Sequence, residues 1–526
     1  MLSWPGWSIR PVSQRGTGMR TVIANVTVLD GSGGPSWAAD VWLDGEWIDQ
    51  LTAPARSHGH ATVVAGDGLV LAPGFIDVHS HADRSPFANE PDTTKLLQGI
   101  TTEVVGNCGS SPLDADDHPT SYLTALDRAR PVTNLAPLLG HGSLRRRVMG
   151  MAGRAPRAQE ARTMRAWLEQ ALDAGAFGLS SGLFYAPGSY ADADELAVLL
   201  EGLAGRPLIY ASHIRNEGSR LVEAVDELLA VGRQTHAALQ LSHHKAAGLP
   251  NWGRTADTLR HIQAARSDGV VVAMDAYPYT ASSTSVSANL PGWVLEGGVD
   301  AALERLADPA TRDRIRRECE VPALDSEWES MVAATGYERM VVAWNPAGGT
   351  GQGQTLAQYA RERHLSPFDG MVHLLQESRL AATMVAHSMD EGDLVRVLQD
   401  PACWIGTDGV LGSRSARPHP RLTGTFPRVW REFVVKRRLL APEEAIRRMT
   451  GGPATHFSIP ERGRVAPGWV ADLVLTDPDR LADTSTFDQP WTPPEGVVGV
   501  WMAGRRAVAD GRYLGTAMGR RLTPAR

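Results

Sequence analysis

The sequence has few cysteines and no long apolar run, and each absence excludes a class of protein. Among its 526 residues are three cysteines, Cys108, Cys319 and Cys403. Their odd number and wide separation argue against a disulfide framework, so we expect a reducing compartment, the cytoplasm. No apolar stretch is long enough to span a bilayer. Residues 1–18 also lack the continuous apolar core of a secretion signal.

Charge of one sign is not concentrated anywhere in the chain. The formal net charge is -7, with acidic and basic residues interspersed. The chain therefore has neither the basic stripe of a nucleic-acid-binding protein nor the polybasic segment of a membrane-surface protein. Its contents of 43% hydrophobic and 21% charged residues are typical of a soluble globular protein. Oligomeric state is not predicted by these features.

Short strands separated by turns occupy both ends of the chain. In residues 21–70, short segments of alternating apolar and polar residues are separated by turns rich in Gly and Asp. The same pattern returns after residue 470. We expect residues 19–70 and 457–526 to pair into one small, discontinuous β-sandwich domain. Residues 1–18 are expected to be a disordered extension, which leaves open whether Met19 is the true start.

The middle of the chain, residues 71–456, alternates apolar strands with helical stretches. Repeated βα units that end in polar residues predict an α/β fold, a distorted (β/α)8 TIM barrel with catalytic residues at the carboxyl ends of its strands. Residues 285–382 are rich in Gly, Pro and Trp, and we interpret them as an insertion that could cover the site. Nine segments compete for eight strand positions: 74–81, 99–107, 133–142, 176–183, 207–214, 237–245, 270–279, 383–388 and 403–408.

The segment from Leu71 to Asp83, LAPGFIDVHSHAD, contains a predicted buried strand that ends with two histidines. Side chains alternate along a strand, so His79 and His81 project from the same side. Two such imidazoles can hold one divalent metal, each through a neutral nitrogen. In isolation, this two-residue motif more often marks a hydrogen-bonded pair of structural histidines, because it matches frequently by accident.

Other potential ligands follow later strands in the same way. Cys108 lies in a turn within EVVGNCGSSP, where a thiolate could ligate zinc, although most free cysteines are simply small buried residues. His213 and His243 each end an apolar strand, and their recurrence at separate strand ends is informative. Asp408 ends the last strand; it is either an ordinary turn aspartate or a carboxylate that serves as general base and then general acid.

Together these residues resemble the amidohydrolase superfamily and, within it, the N-acyl-D-amino-acid deacylase (D-aminoacylase) family. The resemblance extends from about Met19 to the C-terminus and is carried by GFIDVHSHAD, GNCGSSP, SHHK, DAYPY and HPRLTGTFPRV. It implies one tight zinc site formed by Cys108, His213 and His243. It also implies a second, weaker metal position lined by His79, His81 and Asp408.

The resemblance further implies how a substrate carboxylate would be held. Lysine, arginine and two hydroxyl groups suit one anion, and the family pattern assigns this role to Lys245, Tyr277, Ser283 and Arg421. The segment from Asp408 to His419 is about two residues longer than usual in the family, which leaves Arg417 or Arg414 as substitutes for Arg421.

The predicted activity is zinc-dependent hydrolysis of the amide bond of small N-acyl-D-amino acids, with Asp408 moving the proton. The D preference follows from the resemblance alone. One alternative is another amide hydrolase of the superfamily, such as a cyclic amidase or a dipeptidase acting on unusual linkages. Others are metal-dependent chemistry on non-amide substrates and a non-catalytic barrel that serves as a binding module. The preferred side chain and acyl group are not predicted.

Overall fold

A computed structural model of the chain describes residues 20–112, 118, 120–203, 205–321 and 328–525. The predicted extension of residues 1–18 lies outside the described residues. In the described ranges, no helix combines the length and the apolar character needed to cross a membrane.

The strands fall into a terminal sheet, a barrel and a small insertion sheet. Strands β1 to β5 are Thr21–Val28, Trp37–Asp44, Trp47–Thr52, Thr62–Ala65 and Val70–Pro73. Strands β6 to β13 are Phe75–Asp77, Ile100–Val105, Asn134–Pro137, Leu139–Gly140, Gly178–Gly182, Ile209–His213, Ala238–Leu241 and Val272–Ala276. Strands β14 to β21 are Ser282–Ser285, Met340–Trp344, Thr383–Ala386, Cys403–Ile405, Leu473–Thr476, Val497–Met502, Arg505–Ala509 and Arg512–Tyr513.

Strands from both ends of the chain form one nine-stranded sheet. Its order is β21-β20-β19-β18-β5-β1-β2-β3, with β4 paired to β1. The central contact joins β5 to β18 in antiparallel register, Val70 opposite Thr476. Inward-facing residues from both ends, such as Ile23, Val41 and Trp501, share a buried apolar core. The two termini are therefore joined in a single sheet domain.

The barrel consists, within the described ranges, of eight parallel strand positions: β6, β7, the interrupted pair β8–β9, β10, β11, β12, β13 and β17. The ring closes between its first and last strands. Asp408 N donates to His79 O at 2.7 Å, and His81 N donates to Gly409 O at 3.2 Å. The carboxyl ends of strands far apart in the chain consequently meet at one rim.

Helices surround the barrel and build the insertion. Helices α1 to α8 are Ser121–Arg128, His141–Met149, Ala158–Asp173, Ala193–Leu200, Leu221–Thr235, Thr255–Ser267, Val299–Ala307 and Pro309–Glu320. Helices α9 to α15 are Met331–Thr335, Leu356–Glu362, Pro367–Glu377, Glu391–Gln399, Arg421–Arg428, Pro442–Met449 and Gly451–His456, and a π-helix spans Val429–Lys436. Helix α5 shows why they pack: Leu221, Val225 and Leu228 recur at helical spacing and are buried.

The ninth strand candidate, residues 383–388, lies outside the barrel. Its strand β16 pairs antiparallel with both β14 and β15, in the order β14-β16-β15. This insertion sheet and the helices around it enclose their own apolar core, which includes Val342 and Met384. The predicted insertion therefore has a sheet and a core of its own, and it stands beside the barrel rim.

Candidate active site

Cys108 lies between two of the predicted histidine ligands. Its Sγ atom is 3.3 Å from His79 Nε2 and 3.5 Å from His243 Nε2. Burial would raise the pKa of the Cys108 thiol, but His79 and His243 hold that pKa well below its usual value. A thiolate flanked by two imidazoles is a typical zinc-binding arrangement.

His213 and His243 face each other across the same group of side chains. Their ring centroids are 4.3 Å apart. Glu217, four residues after His213, adds a carboxylate 3.2 Å from His243 Nδ1 and 3.6 Å from His213 Nε2. Sequence reasoning missed Glu217, and its signal was an acidic residue in the loop directly after a strand-end histidine.

Asp408 connects the histidine pair that follows β6 to the cationic side of the site. Its Oδ1 is 3.0 Å from His81 Nε2 and 3.6 Å from His79 Nε2. Its Oδ2 is 2.8 Å from Arg421 Nη1. Burial would raise the pKa of Asp408, yet Arg421 and His79 hold that pKa well below its usual range. The carboxylate is therefore ionised at neutral pH, the form that a proton acceptor requires.

The backbone at three of these residues is unusual. Cys108, His243 and Asp408 have φ angles of 52°, 34° and 47°, in the left-handed region that non-glycine residues rarely adopt. Such conformations persist only where the surrounding structure holds them, and they cluster at functional sites. Here each one follows a barrel strand and turns a side chain towards the rim.

Asp275 on β13 supports two of the histidines from below. Its Oδ1 is 3.0 Å from His79 Nδ1 and accepts a hydrogen bond from His243 N at 2.8 Å. An acceptor on Nδ1 leaves Nε2 of His79 directed at Cys108 and Asp408, a common arrangement behind metal-binding histidines. Sequence reasoning also missed Asp275, whose signal was a lone carboxylate within an apolar strand.

A cavity of about 430 Å³ opens above the cluster. It is lined by His81, Cys108, His213, His243 and Asp408 and by all four residues expected to bind a substrate carboxylate, Lys245, Tyr277, Ser283 and Arg421.

Three of the four carboxylate-binding candidates contact one another, and Lys245 contacts Glu217 in the cluster. The Arg421 guanidinium stacks 4.5 Å from the Tyr277 ring and donates to Ser283 O at 3.2 Å. Lys245 Nζ is 2.5 Å from Glu217 Oε1. The substitutes considered for Arg421 lie elsewhere: Arg414 stacks on Trp491, and both Arg414 and Arg417 are exposed.

The donor set fits a zinc ion. Three triplets, His79–Cys108–His243, His79–His81–Asp408 and His213–Glu217–His243, each place their ligand atoms within 4.8 Å of one another. Both ring nitrogens of His213 are buried without a hydrogen-bond partner. Burying unsatisfied nitrogens is unfavourable, and a coordinated cation would satisfy one of them. Nitrogen, sulfur and carboxylate oxygen are the ligands that zinc prefers.

The sequence is similar to known proteins along most of its length. A family model described as the amidohydrolase family matches residues 62–508. The N-acyl-D-glutamate deacylase of Alcaligenes xylosoxydans xylosoxydans is 36% identical over 505 residues, covering 92% of each chain.

Solved structures agree with the sequence match. The crystal structure of the N-acyl-D-glutamate deacylase of Bordetella bronchiseptica, complexed with zinc and a phosphonate that mimics the tetrahedral intermediate, is 34% identical with a TM-score of 0.80. A D-aminoacylase structure, described by a binuclear centre in which one metal activates and a second attenuates, is 32% identical with a TM-score of 0.80. Each alignment covers 96% of this chain and 99% of the other.

Proposed function

Because this chain belongs to the amidohydrolase family, we propose that it hydrolyses N-acyl-D-amino acids with the help of zinc, releasing a carboxylate and a free D-amino acid. The resemblance predicted from the sequence is confirmed at the level of the family. We propose the D configuration and the N-acyl substrate because the similar proteins are named N-acyl-D-glutamate deacylase and D-aminoacylase.

One observation carries the proposal: metal-binding, proton-transferring and anion-binding groups line a single cavity. Cys108, His243 and Asp408 stand at the carboxyl ends of three different barrel strands. Arg421 lies 2.8 Å from Asp408 and stacks on Tyr277 in the same cavity. A substrate with a carboxylate next to its scissile amide bond matches this combination.

We assign Cys108, His213 and His243 to a tight zinc position, and His79, His81 and Asp408 to a weaker second one. The bound metal would supply a Lewis acid that lowers the pKa of water and polarises the acyl carbonyl. Asp275 orients the imidazole of His79 by accepting at its Nδ1 atom, and Glu217 and Lys245 both lie within 3.2 Å of Nδ1 of His243.

Asp408 carries the proton in this scheme. As the water oxygen attacks the acyl carbon, Asp408 accepts a proton from that water. When the carbon–nitrogen bond breaks, Asp408 returns the proton to the departing amine. The low pKa that Arg421 and His79 impose on Asp408 keeps the carboxylate in the ionised form at the start of the cycle.

The substrate carboxylate is held by Lys245, Tyr277, Ser283 and Arg421. In the free protein the two cations are already engaged, Arg421 with Asp408 and Lys245 with Glu217. These carboxylates hold the cations in place before the substrate arrives, which limits the reorganisation on binding. Arg421 also contacts the general base, so anion binding and proton transfer share one side chain.

Hydrolysis assays with paired N-acetyl-D- and N-acetyl-L-amino acids test the proposal. We expect release of free amine from the D substrates, with kcat/KM at least about tenfold above that of the L forms. A panel of cyclic amides is the control. Hydrolysis of the cyclic amides in the absence of D-amidase activity would contradict the proposal.

We further propose that the protein works in the cytoplasm. Cys108, Cys319 and Cys403 are all free thiols, and the cytoplasm keeps thiols reduced. Cell fractionation with an antibody to the chain tests this, and recovery in an oxidising compartment would contradict it.

A further inference from the structure

We propose that the D-amino acid accepted by this chain carries an uncharged, apolar side chain that packs against Trp344 and Thr383 of the insertion sheet. This inference rests on the proposed function and narrows its substrate. The amino-acid side chain and the α-carboxylate are attached to the same carbon. The side chain must therefore lie beside the residues that hold the carboxylate.

The wall beside the carboxylate site is the insertion sheet. Ser283 lies on β14, and Ser285 projects from the same face because side chains alternate along a strand. Ser285 pairs with Thr383, and Thr383 pairs with Trp344 on β15. All four residues line the cavity. These pairings place the four side chains on one continuous surface, which runs from the carboxylate site across three strands.

The other face of this sheet is already occupied. Val342, Met384 and Ala386 point into the apolar core of the insertion. The face with Thr383 and Trp344 lines the cavity, and Ser282 and Thr284 join it at the β14 edge. Ala343 also reaches the cavity and packs with Ala281 and Val385.

The described residues of this wall, Ser283, Ser285, Ala343, Trp344 and Thr383, include no charged side chain. Of the cavity's cations, Lys245 and Arg421 are assigned to the α-carboxylate. Arg146 also lines the cavity, but it is exposed and belongs to α2, whose Gly142 lies against Gly109 next to Cys108.

The side chain of D-glutamate or D-aspartate would meet this wall without a paired cation. Removing a carboxylate from water without such a partner is unfavourable. An apolar side chain would instead bury carbon surface against the indole of Trp344. This chain should differ in preference from the N-acyl-D-glutamate deacylase that it resembles at 36% identity.

Steady-state kinetics on five N-acetyl-D-amino acids test the inference. We expect kcat/KM for the leucine, methionine and phenylalanine derivatives to exceed that for the glutamate and aspartate derivatives by at least about tenfold. Equal or faster hydrolysis of the acidic pair would overturn the inference and leave the proposed function intact. Failure to hydrolyse any of the five would instead remove the proposed function, and this inference with it.

Two variants locate the side-chain contact. Trp344→Ala should lower kcat/KM for N-acetyl-D-phenylalanine by about tenfold or more while changing that for N-acetyl-D-alanine far less. Thr383→Arg should raise the glutamate-to-leucine ratio by about tenfold, because it places a cation on the wall. Trp37→Ala, at an exposed tryptophan of β2, is the matched control.

The ratios between substrates separate a contact from a merely structural role. Equal losses on the phenylalanine and alanine derivatives in Trp344→Ala, together with an unchanged ratio in Thr383→Arg, would overturn the assignment of this wall.

Discussion

Lys95 Nζ lies 2.7 Å from Asp77 Oδ2, and both side chains are almost completely excluded from solvent. Asp77 also accepts hydrogen bonds from Thr407 N at 2.8 Å and from Thr407 Oγ1 at 2.6 Å. Thr407 precedes Asp408 directly. The ion pair therefore fixes the seam where the last barrel strand meets the first, immediately below the proposed general base.

Lys95→Met should destabilise the protein by about 3–5 kcal/mol, because it leaves a buried carboxylate without its partner. Urea unfolding measures the loss. Lys436→Met is the matched control, since Lys436 forms an exposed pair with Glu432 on one helix and should cost under about 1 kcal/mol. Similar unfolding free energies for the two variants would show that the buried pair does not hold the seam.

Asp408→Asn should reduce kcat by about a hundredfold or more, since the amide cannot accept and return the proton. Zinc content, measured by elemental analysis of the purified protein, should stay close to that of the wild type if Cys108, His213 and His243 provide the tight position. Near-normal turnover would refute the role of Asp408. Loss of zinc along with activity would instead make it a principal ligand.

Arg421→Ala should impair N-acetyl-D-amino acids far more than the corresponding amides, which lack the carboxylate. The comparison separates two roles of Arg421. Loss of its contact with Asp408 should slow acids and amides equally, whereas loss of anion binding should slow only the acids. Arg417→Ala, at an exposed arginine in the loop between Asp408 and His419, is the control. Equal losses on acids and amides in Arg421→Ala would mean that Arg421 does not hold the carboxylate.

Zinc should protect Cys108 from alkylation. We expect iodoacetamide to modify Cys108 after chelation and to leave it unmodified after zinc is restored, as read by peptide mass spectrometry. Cys319 and Cys403 are both buried and serve as internal controls, because their labelling should not depend on zinc. Labelling of Cys108 that is independent of zinc would argue against thiolate ligation.

Stability should fall as pH drops below about 6.5, with a contribution from His456. Burial lowers the pKa of His456 to about 4, so the folded state binds fewer protons than the unfolded state between these values. The contribution of His456 to the free energy of unfolding is fully present above pH 6.5. It is lost as the pH falls towards 4, a decrease of up to about 3 kcal/mol. His456→Gln should flatten the dependence of unfolding free energy on pH in this window. An unchanged slope would contradict the assignment.

Sequence patterns predicted the barrel because the same strand-and-helix pattern recurs in every βα unit. Apolar runs that end in a polar residue locate the strands. The predicted alternation also put His79 and His81 on one side, and their rings lie 5.4 Å apart just after β6. The pattern could not tell that residues 383–386 pair antiparallel outside the barrel. A short apolar strand has the same composition in either orientation, and its partners on β14 and β15 lie about 100 and 40 residues away, respectively.

Several parts of the site depend on contacts that no local pattern encodes. Glu217 and Asp275 matter because folding brings their oxygens to His243 and His79. Lys95 was inconspicuous because its partner Asp77 belongs to a strand that was interpreted as simply apolar. Candidate ligands at strand ends can be proposed from the sequence, whereas the groups that orient them require the three-dimensional arrangement.

The closing hydrogen bond from Asp408 N to His79 O also has a consequence for biosynthesis. A nascent chain that has emerged only as far as the insertion already carries Cys108, His213 and His243, but the ring is still open and lacks Asp408, its proposed acid–base group. Translation must pass Asp408 before the rim can close, and it must continue to β18 before the sheet of the two termini is joined. Until then the growing chain carries its proposed metal ligands without the group proposed to move the proton.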